Sequence, residues 1–243
     1  MAEDGLRCLF EMNFPTSERV EKFQGHCLDD ERLVKKEFVV TLKCSDFENP
    51  GALQSGKFLW PASFQLCNYM CSYRFCNDYL RGVVNIIELG AGAGLVGLLA
   101  SQVFWDEHRE GKVLLTDRDA FLLDMIRDSP SFSRERGKLP TDTLELSWGN
   151  AEELKKVCNQ PFDLILGADL MYSTDSIKAL FFTVNGLLTE NNEFIVCSSF
   201  RVEASTRIIL DLCKTFGLHR TVLVDTIGEE SGCIIERFSR SKH

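Results

Sequence analysis

The chain has 243 residues, 44% of them hydrophobic, with a formal net charge of −9. That length suits one α/β domain or one domain with an appendage, and that apolar share supports a large core. The acidic balance disfavours nucleic acid, whose phosphates need a basic face, and leaves a basic protein partner open.

No apolar run approaches the roughly 20 residues that cross a bilayer, and the N-terminus lacks the charged and apolar regions of a signal peptide. A soluble, monomeric, cytoplasmic protein is expected, with the nucleus as an alternative location and no membrane partner. Residues 1–36 are polar and mixed in charge, with Pro15 and Gly25, and read as a loosely organised arm. The β-rich stretch 38–42 precedes a turn-rich stretch, 45–56, containing Asn49-Pro50-Gly51. A short strand or hairpin leading into the main domain follows. We therefore divide the chain into an N-terminal arm with short β elements, 1–57, and a main domain, 58–243.

From Pro61 the pattern turns helical, with Ala62, Leu66, Tyr69, Met70 and Tyr73 at spacings of three and four. Pro61 suits a first helical position, where its missing N–H costs nothing. Strands and helices then alternate. Strands are expected at 83–88, 113–117, 143–148 (an edge), 162–168 and 194–197. Helical faces follow 94–104, Phe121 to Ile126, Ile177 to Leu188 and Ile208 to Phe216. The last two β runs, 221–224 and 233–238, are joined by a link too short for a helix, so they predict an antiparallel hairpin. Such alternation gives a mainly parallel sheet covered on both faces, with its ligand at the carboxyl ends of the strands.

Ten cysteines are scattered along the chain, and only Cys67, Cys71 and Cys76 cluster. None of the four histidines lies near them in sequence, so reduced structural thiols are expected and no metal.

The strongest local signal is Glu88-Leu89-Gly90-Ala91-Gly92-Ala93-Gly94-Leu95-Val96-Gly97. Gly90 and Gly92 allow a sharp turn and close approach to a ligand. Gly92, Gly94 and Gly97 also satisfy the GxGxxG dinucleotide pattern, which alone is weak. Glu88 before the glycines disfavours a pyrophosphate and tolerates a sulfonium and an amino group. Asp117, ending the next strand, can accept both hydroxyls of a ribose, as it could in either class of cofactor.

Beyond this turn the chain resembles the methyltransferase-like 21 group of protein-lysine methyltransferases, the family-16 methyltransferases. The resemblance rests on Leu59-Trp60-Pro61-Ala62, the glycine block, Thr116-Asp117-Arg118, Leu146-Ser147-Trp148-Gly149 and the run from Phe162 to Tyr172. It implies a Rossmann-like class I methyltransferase, a seven-stranded, mostly parallel α/β sheet with a C-terminal antiparallel hairpin and a β-containing N-terminal extension. It implies S-adenosyl-L-methionine as cofactor, with Gly90, Ala91 and Gly92 along its methionine part and Asp117 on its ribose. Trp60, Trp148 and Ala168 are also implied as cofactor contacts, and Glu88 joins them from the residue argument above. The loop 105–112 and the segment 129–142 depart from the family pattern, so no relative's substrate can be carried over.

The resemblance places the Asp169-x-x-Tyr172 pair at the acceptor site. Methyl transfer from a sulfonium needs alignment and exclusion of water rather than a metal. Asp169 is expected to attract and orient a protein lysine, and Tyr172 to add an aromatic wall and a hydroxyl. The competing reading of Asp169 is a cap for the following helix, a job for which Ser173 and Thr174 also compete. Alternatives for the whole chain are methylation of histidine, arginine or a small molecule, an NAD-dependent oxidoreductase, or a non-catalytic module.

Overall fold

The structure is a computed structural model that describes residues 8–15, 37–44, 55–80, 82–132, 137–199, 203–228 and 232–240. Its centre is a seven-stranded sheet. Five strands run parallel: β3 (Asn85–Leu89), β4 (Lys112–Asp117), β5 (Thr141–Glu145), β6 (Leu164–Ala168) and β7 (Glu193–Ser198). The final hairpin, β8 (Leu218–Asp225) and β9 (Ile234–Arg240), adds β9 antiparallel to β7. The spatial order is β5-β4-β3-β6-β7-β9-β8. The chain therefore moves outward from β3 to β5, then returns to β6 beside β3. That reversal makes the β3–β6 boundary the topological switch point, where loops diverge and leave a crevice.

Both sheet faces are covered, so the central strands are apolar on both sides. Ile86, Leu164, Leu166, Ile195 and Cys197 point into one core, shared with α1 (Pro61–Met70), α2 (Tyr73–Tyr79), α3 (Leu95–Val103) and α4 (Ala120–Arg127). Ile87, Ile165, Phe194 and Val196 point the other way, towards α5 (Ala151–Leu154), α6 (Thr174–Leu187) and α7 (Glu203–Phe216). The alternation is the period-2 consequence of the pleat.

Ahead of the sheet lies a separate antiparallel pair, β1 (Cys8–Pro15) and β2 (Glu37–Cys44). β1 falls in the stretch expected to be a loose arm. Its pairing with β2 is non-local and invisible to a local reading. Phe38, Val40, Leu42 and Cys44 of β2 enter the same core as α3 and α4, so the extension is packed onto the sheet domain. Its backbone is tied down by Ser131 Oγ, which accepts Thr41 N–H at 2.8 Å, and Ser129 Oγ, which accepts Lys43 N–H at 3.0 Å.

Two further boundaries differ from expectation. The helix from Pro61 breaks after Met70, because Ser72 turns extended and caps α2 by accepting Phe75 N–H at 3.3 Å. β5 ends at Glu145 instead of continuing to Trp148. Leu146 still donates to Asp117 C=O at 2.9 Å, after which the chain turns away through Gly149.

Candidate active site

Most of the site residues expected from the sequence lie at the carboxyl edge of the parallel strands, and Glu88 is the exception. β3 ends at Leu89, and the chain then turns through Gly90 at φ 63° and Gly92 at φ 53° into α3. These left-handed conformations favour glycine. Space demands it as well. A Cβ at Gly90 would lie 2.7 Å from Trp148 Cζ2 and 2.8 Å from Leu170 Cδ2, and one at Gly92 would lie 2.9 Å from the Gly56 carbonyl oxygen. The turn is thus flanked by the Trp148 indole on one side and by the single helical turn Ser55–Lys57 on the other. Between them Ala91 N–H donates to Thr116 C=O at 2.8 Å, pinning the turn to β4.

Asp117 closes β4 and reaches across to the turn. Its Oδ2 accepts Gly92 N–H at 3.0 Å and its Oδ1 accepts Asp119 N–H at 3.1 Å. Burial pushes its carboxyl upward, and bonds from the Gly92, Asp119 and Arg118 backbone oppose the shift. A carboxylate offers about four acceptor positions, so beyond these backbone donors Asp117 keeps capacity for a ribose hydroxyl.

Glu88 behaves differently from expectation. It is buried, and its Oε2 accepts Gly97 N–H, the first turn of α3, at 2.8 Å. Its carboxyl group therefore faces the helix packed on β3 and joins strand to helix. Strand alternation explains this: adjacency in sequence to the glycines does not carry a side chain to the same side as the turn. Burial raises the carboxyl to about 8, with the Gly97 bond opposing and Asp117 adding to the rise.

On the other side of the switch point, β6 ends at half-buried Ala168, and Asp169 follows at φ 52°, the one non-glycine residue with positive φ among the described residues. Aspartate tolerates this region better than most side chains. Its N–H donates to Cys197 C=O at 2.9 Å. Its carboxylate collects donors from two other elements. Oδ1 accepts Ser199 N–H at 2.8 Å, Oδ2 accepts Ala62 N–H at 3.2 Å, and the Ser199 hydroxyl lies 2.9 Å and 2.8 Å from the two oxygens. Asp169 does not cap α6. Ser173 does, accepting Ser176 N–H at 3.2 Å while Ser176 Oγ accepts Ser173 N–H at 3.0 Å.

Trp60 is the N-cap residue of α1 and is 45% exposed, and Tyr172, beyond β6, is 66% exposed. Both belong to loops at this edge of the sheet. Ser199, Ala62 and Leu170 were not singled out from the sequence. Ser199 had one legible signal, its position just past β7 at the carboxyl edge where ligands collect. Away from this edge, Cys67, Cys71 and Cys76 are buried in the helical layer, and burial holds the thiols of Cys71 and Cys76 up at about 12. Among the described residues no group of three His, Cys, Asp or Glu side chains is arranged to hold a metal.

This strand order, with a glycine turn and an acid at the end of the neighbouring strand, is the Rossmann-like methyltransferase fold. A TehB-like SAM-dependent methyltransferase from Corynebacterium glutamicum superposes with a TM-score of 0.51 at 17% identity, over 77% of this chain and 91% of that one. The chain belongs to the lysine methyltransferase family, whose model matches residues 43–215. It is 28% identical over 165 residues to mouse protein-lysine methyltransferase METTL21E, covering 67% of this chain and 64% of that protein. It is also 28% identical over 157 residues to mouse histone-arginine methyltransferase METTL23, covering 63% and 56%. The match therefore spans less than two thirds of either relative. The resemblance drawn from the sequence is borne out, and the dinucleotide alternative is set aside.

Proposed function

We propose that the chain is an S-adenosylmethionine-dependent methyltransferase acting on lysine side chains of a protein. The observation that carries this reading is the Asp169 carboxylate, fixed at the end of β6 across the switch point from the glycine turn. The residues fit the cofactor: the turn through Gly90, Ala91 and Gly92 carries no side chain of its own larger than a methyl group, and Asp117 retains acceptor capacity for a ribose. Trp148, walling Gly90, offers an aromatic face, and Trp60 and Ala168 stand at the same edge. When bound, S-adenosylmethionine supplies a methyl group already activated by its sulfonium.

The protein's task is then to align a nucleophile and exclude water. A lysine must lose its proton, which at pH 7 costs roughly 4–5 kcal/mol from its ordinary value near 10.4. Asp169 favours the charged amine and so attracts and orients it, and the proton leaves to solvent. Of about four acceptor positions on the carboxylate, three are taken by Ala62 N–H, Ser199 N–H and the Ser199 hydroxyl, which leaves one. One open position suits a single N–H of a lysine amine. A guanidinium fork places two donors side by side and is served less well. The net charge of −9 favours a basic protein segment over nucleic acid.

The test is incubation of the purified protein with methyl-labelled S-adenosylmethionine and a cell extract, followed by mass spectrometry of labelled peptides. Label on lysine is the expected result. Label confined to arginine or histidine would overturn the acceptor assignment. Calorimetry with S-adenosylhomocysteine beside NAD tests the cofactor separately.

A further inference from the structure

We infer that Ser199 is a positioning residue for the acceptor carboxylate, and that its hydroxyl restricts Asp169 to a single open acceptor position. The inference rests on the reading of Asp169 as the group that orients the acceptor amine. It starts from an unusual backbone. Asp169 holds a left-handed conformation, which costs energy for any residue with a Cβ, and such conformations persist where surrounding contacts over-determine them. The contacts are visible: Asp169 N–H binds Cys197 C=O on β7, and the carboxylate returns to the same strand end at Ser199.

Two of the three donors are backbone groups on different elements, one per carboxylate oxygen. They hold the two oxygens at fixed points but leave the lone pairs between and outside them unassigned. The Ser199 hydroxyl, 2.9 Å and 2.8 Å from the two oxygens, takes one of these with its single proton. Removing it leaves two open positions on one carboxylate. An incoming amine then has two ways to bind, and water competes for the second. The acceptor nitrogen must lie in line with the reacting methyl, so divided binding lowers the fraction in reactive alignment more than it lowers affinity. The side chain acts through Asp169 alone. The glycine turn and Asp117 have their own partners, Thr116, Asp119 and each other, none of which is Ser199.

The test compares Ser199→Ala with the near-isosteric pair Ser199→Thr and Ser199→Val, which differ in the hydroxyl alone. Each is assayed with labelled S-adenosylmethionine and the protein found labelled by the wild-type enzyme, beside calorimetry with S-adenosylhomocysteine. In Ser199→Ala and Ser199→Val, kcat is expected to fall about ten- to a hundred-fold, with KM and cofactor affinity changed by no more than about three-fold. Ser199→Thr should recover most of the rate. Should Ser199→Ala prove unstable, the Thr–Val pair decides alone. Wild-type kcat without the hydroxyl, equal loss in Thr and Val, or a loss of cofactor affinity matching the loss of rate would each overturn the inference. Failure of the lysine reading shows elsewhere, in the residue type that the wild-type enzyme labels.

Discussion

The Asp169 carboxylate at the end of β6 caps α1: Oδ2 accepts Ala62 N–H at 3.2 Å, although the two residues are 107 positions apart in the chain. α1 needs such a partner because its own N-cap residue is Trp60, which offers no side-chain acceptor. The same carboxylate binds Ser199 at the end of β7. One side chain therefore joins the segment carrying Trp60, the end of β6 and the end of β7, so a change at Asp169 is felt in all three elements.

Asp169→Asn is expected to nearly abolish methylation while leaving affinity for S-adenosylhomocysteine within a few-fold. Asparagine accepts the left-handed backbone but presents an NH2 where either Ala62 or Ser199 also offers an N–H. That mismatch should lower stability by about 1–3 kcal/mol, read from urea unfolding. Single-turnover rates are to be taken where the variant is folded. Wild-type rates there would remove Asp169 from the acceptor site. Tyr172→Phe should be milder, since the exposed ring remains.

For Asp117→Ala the expectation is a loss of roughly 1.5–3 kcal/mol in S-adenosylhomocysteine binding, the cost of a hydrogen bond to a charged group. Asp117→Asn should fall between, because one oxygen can still accept Gly92 N–H. Calorimetry on folded protein decides. Unchanged affinity in the alanine variant would show that the carboxylate serves only the turn.

Gly90→Ala tests the close approach at the switch point. The new Cβ would meet Trp148 and Leu170 below 3.0 Å in a left-handed backbone, so we expect about 1–3 kcal/mol of destabilisation and impaired cofactor binding. Gly82→Ala is the control, since a Cβ there meets nothing within 4 Å. Equal melting temperatures for the two variants would contradict the packing described.

Glu88 sets a pH dependence of stability. Its carboxyl is raised by burial to about 8 in the fold and returns to an ordinary 4.5 when unfolded. Between these values the native state binds the extra proton. Stability is therefore expected to fall as pH rises from about 4.5 through about 8, by up to about 1.4 kcal/mol per pH unit. Glu88→Gln keeps an acceptor for Gly97 N–H without titrating, so its stability should vary less between pH 6 and pH 9. Parallel urea midpoints for both proteins across that range would refute the assignment.

Local pattern determined much of this protein. The strand–helix alternation, the closing hairpin, the glycine turn and Asp117 at the end of β4 all follow from period, glycine placement and loop length, which are properties of contiguous residues. The tertiary structure decided what non-contiguous residues do. Glu88 sits close to the glycines in sequence, yet the pleat turns it into α3, where Gly97 N–H is the partner of its buried carboxyl group. Asp169 precedes α6, yet Ser173 caps that helix, and the Asp169 carboxylate serves α1 and β7 instead. β1 became a strand through pairing with β2 rather than through its local pattern. In each case a buried or turn-bound polar group had to find a partner, and only the packed chain brought the partner within reach.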